Sequence, residues 1–143
     1  MTGMAHEVIQ RLLQQPGAVV RAGERGMSEN NPTPIEPELI EQAIRSAGFE
    51  PALIDRESVT DKDGLLRALY RALNFPNWFG FNYDALQDAL EMLEPVEGRG
   101  WVLVFQDFDS LEQHEPDCAR IFLDIVRQVA DQKHASLHKL MLL

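Results

Sequence analysis

Cysteine occurs once in this chain of 143 residues, at Cys118. A single thiol rules out an internal disulfide framework and suits a reducing compartment. Long apolar runs are also missing. No stretch approaches the roughly 20 residues that a membrane-spanning helix needs, and the N-terminus lacks the basic-then-apolar pattern of a signal peptide. The expectation is a cytoplasmic protein with no membrane partner. A phosphate-binding glycine loop is absent. The four histidines, His6, His114, His134 and His138, are scattered; only the last two stand four apart, and Leu137 onward reads as strand, so no metal-ligand spacing forms. No cofactor and no metal are expected. Basic residues are scarce, 13 Lys and Arg against 23 Asp and Glu, a net charge of −10. That balance argues against direct nucleic-acid binding and against anionic membranes.

What is present fits one domain with a substantial core. Val8, Ile9, Leu12 and Leu13 repeat at helical spacing, and Pro16-Gly17 stops that helix. AVV at 18–20 is a short strand, and GERGMSENNPTPIEP at 23–37 reads as a loop. A second helix carries Leu39, Ile40, Ala43, Ile44 and Ala47 on one face, with Gly48 as its stop. PALID at 51–55 is the next strand. Asp61 can cap a helix with Leu65, Leu66, Leu69 and Leu73 inward. WVLVF at 101–105 has the continuous apolar character of a central strand. Pro116 opens a long helix with Ile121, Phe122, Ile125, Val126 and Val129 inward, and LHKLMLL at 137–143 is a last strand. Cys118 shares that helical face and reads as a small buried hydrophobe rather than a nucleophile. Strands alternating with helices predict an α/β fold with a small, mainly parallel sheet.

The charge is unevenly spread. Residues 82–117 hold ten acidic side chains and one basic one, Arg99, a field that would attract a cationic partner. It begins in NFPNWFGFNYDALQDALEML, residues 74–93, where aromatics precede a helix with Asn82 as its N-cap. Leu86, Ala89, Leu90 and Leu93 form the inward stripe. Asp84, Asp88 and Glu91, at i, i+4 and i+7, share the outward face. Like charges at that spacing cost a few tenths of a kcal/mol, so helix stability does not explain them. Nothing nearby marks either aspartate for acid–base chemistry. Trp78 and Phe79 flank the start of the stripe. At least one of Phe75, Phe79 and Phe81 should fill the core beneath the turn, whereas an indole beside paired carboxylates suits an interface anchor. The segment reads as one half of a binding site for a basic cleft.

LNFPNWFGFNYDALQDAL also resembles the hallmark segment of the barstar family, intracellular inhibitors of the ribonuclease barnase: aliphatic-x-Pro, two aromatics, Gly, then x-Asn-x-Asp-Ala-Leu. The order of elements matches from about Phe49 to Leu143. The resemblance implies a barstar-like domain over 49–143, no enzymatic activity, and inhibition by mimicry, with helix carboxylates taking the places of RNA phosphates in a basic ribonuclease of the extracellular type or a toxin nuclease. Carried over by position, Asp88 matches the central aspartate, Asp84 the second one, Trp78 the stacking aromatic, and Gly80 and Asn82 the turn before the helix. Two positions depart from the pattern: Gln87 stands where the family has an aromatic, and Gln128 falls near its late acidic contact. Residues 1–48 have no counterpart in the family's small inhibitor and are expected to pack on the domain as a helix-strand-helix extension. Two other functions remain: a protein-interaction module with a non-nuclease partner, and a small hydrolase using the aspartates.

Overall fold

The computed structural model describes residues 2–22, 36–54, 59, 61–94, 98–133 and 135–143, with side chains from residue 6 onward. Most of the loop read at 23–37, Asp55 of the PALID strand, residues 95–97, and His134 lie outside the described residues.

The apolar run WVLVF forms strand β3, Trp101–Phe105, whose last four residues are buried. Its alternation resolves into two faces. Val102 and Val104 join one hydrophobic cluster, Leu103 and Phe105 the other. A strand covered on both sides must be apolar throughout, which is why the run shows no polar alternation. Strand β1 is Val19–Arg21, β2 is Glu50–Ile54 and β4 is Leu137–Leu142. The four form one sheet in the order β1-β4-β3-β2, parallel at every pairing. LHKLMLL is therefore an interior strand of the sheet, hydrogen-bonded on both sides.

Helices α1 (Thr2–Gln14) and α2 (Pro37–Ser46) cover one face, packing Ile9, Leu12, Ile40 and Ile44 against Val20, Val102, Val104 and Met141. The other face carries α3 (Lys62–Leu73), α4 (Tyr83–Glu91), α5 (Phe108–His114) and α6 (Pro116–Ala130). The expected α/β class holds, as a layer of helices on each side of a parallel sheet. Helix α5 is an addition to the sequence-based expectation. It starts after Asp107, which takes a left-handed backbone, and its inward residues are only Phe108 and Leu111. Two apolar positions are too short a period to separate a helix of about two turns from a loop.

Several local signals hold. Asp61 caps α3 by accepting from the Gly64 N–H at 2.8 Å. Gly48, at φ +92, ends α2, with its own N–H on the Arg45 carbonyl and the Phe49 N–H on that of Ile44. This is the reciprocal pairing that a left-handed residue permits at a helix C-terminus. Among the described residues Lys139 is the one buried charged side chain; it donates to the Gln15 carbonyl after α1, and burial lowers its pKa.

The entry to β3 is equally specific. Arg99 donates its N–H to the Gly48 carbonyl at 2.8 Å, and its guanidinium lies 4.9 Å over the Phe49 ring. Gly98, at φ +105, sits so close that a Cβ would stand 2.4 Å from the Gly48 carbonyl oxygen. Gly98→Ala therefore meets both a disfavoured backbone and a collision with main chain. It is expected to cost about 2–3 kcal/mol, read as a lower denaturant midpoint with an unchanged slope.

Candidate protein-binding face

The turn before α4 is built by backbone geometry. Asn74 ends α3 in the left-handed region, its N–H on the Tyr70 carbonyl, and the Phe79 N–H closes a turn on the Pro76 carbonyl at 3.0 Å. This turn sends Phe75 and Phe79 inward, where their rings sit 4.9 Å apart and only 5% and 3% of each residue is exposed. Phe79, expected on the binding face, is thus a core residue; its ring is enclosed by Phe75, Tyr70 and Phe81. Two of the three phenylalanines thus fill the core, while Phe81 is 37% exposed. Its φ is +53, a conformation that costs a residue with a Cβ about 1–2 kcal/mol and is a real outlier for a bulky ring. Trp78 is exposed at 54%. Gly80 lies between these aromatics, and a Cβ there would press on the Asn82 amide at 3.2 Å.

Asn82 caps α4, its Oδ1 accepting from the Ala85 N–H at 2.7 Å. Tyr83 anchors the helix start. Its hydroxyl faces the Cys118 thiol and Lys62 lies 4.2 Å over its ring. Burial raises the pKa of both the phenol and the thiol, so Cys118, only 4% exposed, stays a protonated core residue. Leu86, Ala89 and Leu90 bury the inner stripe of α4.

The outer face carries Asp84, Asp88 and Glu91, all exposed, but they are not equivalent. Glu91 accepts from Gln132 at 2.6 Å and from the half-buried Gln87 at 3.4 Å. The side chains of Asp84 and Asp88 have no hydrogen-bond or ion-pair partner among the described residues. Several other acidic groups of the field are occupied: Arg21 of β1 grips Glu112 at 3.0 Å and Asp109 at 3.1 Å, and Asp117 pairs with Arg120. Two carboxylates one turn apart on α4 are thus left without an internal partner. Gln128 is exposed on α6, near its C-terminal end. Among the described residues no group of His, Cys, Asp and Glu is arranged to hold a metal ion.

The fold defines an α/β domain with a parallel sheet between two helical layers and an acidic helix on one of them. A family model described as Barstar (barnase inhibitor) matches residues 49–143, well over half of the chain. The chain belongs to the barstar family, whose members are inhibitors and not enzymes. No curated protein matches it.

Proposed function

We propose that this protein blocks the active site of a basic ribonuclease, of the extracellular type or a toxin nuclease, by placing Asp84 and Asp88 where RNA phosphates would sit. Trp78 packs on the rim of the cleft, and Gly80 and Asn82 set the approach of the helix. The observation that carries the reading is that these two exposed carboxylates, one turn apart on one helix, lack internal partners while Glu91 on the same face has them. Carboxylates held in that way are preorganised for arginines and lysines of a phosphate-binding pocket, because little ordering cost remains to be met on binding. In this reading the protein acts in the cytoplasm, where Cys118 remains a thiol and the cell is guarded from its own nuclease.

The test is stoichiometric titration of barnase and a panel of basic ribonucleases with the protein, following RNA cleavage. Stopped-flow association at several salt concentrations accompanies it. The association rate should fall about tenfold or more between low and physiological ionic strength, while dissociation changes less. Full RNA cleavage at a several-fold excess of the protein would defeat the proposal. A rate flat with salt would mean that the acidic face serves only solubility.

A further inference from the structure

We propose that Phe81 is a specificity-determining contact of this face, its ring meeting an apolar lip on the side of the partner's basic cleft nearest the N-terminal end of α4. The inference rests on the reading of the face as ribonuclease-binding, and it adds a residue and a partner feature to it. Three observations carry it. Among the described residues, large apolar side chains are exposed only at Trp78, Phe81 and Met92, and all three flank the acidic helix. Solitary exposed apolar residues are ordinary, but clustering at the two ends of one charged helix is the pattern of an interaction patch. Second, Phe81 holds a left-handed backbone, which glycine or asparagine would adopt at lower cost. A bulky ring kept at a position where glycine or asparagine would be less strained is a pointer to function.

Third, the ring is already held. It lies edge-on to Phe79 at 4.9 Å, tilted to Tyr70 at 5.4 Å, and under the Arg67 guanidinium at 5.5 Å. Arg67 is itself fixed by Asp63 at 2.9 Å. A ring immobilised on one side and bare on the other gives contact area with little further loss of freedom. Placed three residues before Asp84, it would also exclude water from the carboxylates and so strengthen their pairing with cations. A cleft with charge but no apolar lip would gain nothing from it. The ring therefore distinguishes among basic ribonucleases.

The discriminating variant is Phe81→Asn, which removes the ring and suits the left-handed backbone. Inhibition constants would be measured against a ribonuclease that the wild-type protein inhibits, beginning with barnase, with thermal melting on the same samples. Phe81→Asn should inhibit about tenfold or more weakly while its melting temperature moves by only a few degrees, and Phe81→Tyr should keep most of the inhibition. Undiminished inhibition by Phe81→Asn, with Asp88→Ala impaired, would overturn this inference and leave the ribonuclease reading standing. A melt far below wild type, with inhibition lost only in step with the unfolded fraction, would make Phe81 a packing residue and also overturn it. If the wild-type protein inhibits no ribonuclease, both fall together.

Discussion

Asp88→Ala is expected to leave the fold intact while abolishing most of the inhibition. The residue lies mid-helix on the exposed side of α4, between Asp84 and Glu91, and no described residue neutralises it. Alanine has the better helix propensity by roughly 0.5 kcal/mol, and its introduction relieves like-charge repulsion one turn away. The melting temperature should hold or rise slightly. Binding responds in the opposite direction. Within the cleft the carboxylate would be desolvated among cationic side chains, and its removal strands them without a counter-charge. Loss of one member of such a pair costs about 3–5 kcal/mol, two to four orders of magnitude in affinity. Asp88→Asn, which keeps the shape and removes the charge, should lose nearly as much. Glu91→Ala should lose far less, because Glu91 is engaged by Gln132 and Gln87 within the molecule. The measurement is melting and ribonuclease inhibition on the same preparations. If Asp88→Ala, Asp84→Ala and Trp78→Ala all inhibit like wild type, the partner binds elsewhere.

Removal of residues 1–48 is expected to have the other large effect, this time on stability. Phe49, Val102, Val104 and Met141 are all buried, and their covering is α1, α2 and Val20 of β1. Without that layer one whole face of the sheet meets water. Each large side chain so uncovered forfeits about 1.5–3 kcal/mol, against a total stability of about 5–15 kcal/mol for a domain. The cut also removes the strand paired with β4 and leaves its edge open to association. Loss of Arg21 frees Asp109 and Glu112 to repel each other. A fragment spanning 49–143 should melt at least about 10 °C below the full chain or self-associate. A monomeric fragment with an unchanged melt would show that the N-terminal layer is dispensable.

Periodicity along the chain determined much of this protein. The apolar stripes of α1, α2, α3, α4 and α6, the caps at Asp61 and Asn82, the Gly48 stop and the apolar β3 run are all short-range patterns, and short-range steric and hydrogen-bonding rules are sufficient to produce them. The outward placement of Asp84, Asp88 and Glu91 follows from the same 3.6-residue period. Tertiary structure decided what depends on neighbours distant in sequence. Which of Phe79 and Phe81 enters the core turns on the backbone between them, and a left-handed φ at Phe81 reverses what helical or strand alternation would give. Helix α5 exists because Phe108 and Leu111 find the core laid down by Phe105 and Phe122, a fact no local window contains. Arg21 reaches across to Asp109 and Glu112, and Gln132 to Glu91. In sequence, residues 82–117 form one acidic block. In space, ion pairs and hydrogen bonds occupy several of its members and leave others, Asp84 and Asp88 among them, without a partner, because charges are neutralised by what lies within a few ångströms and not by what is adjacent in the chain.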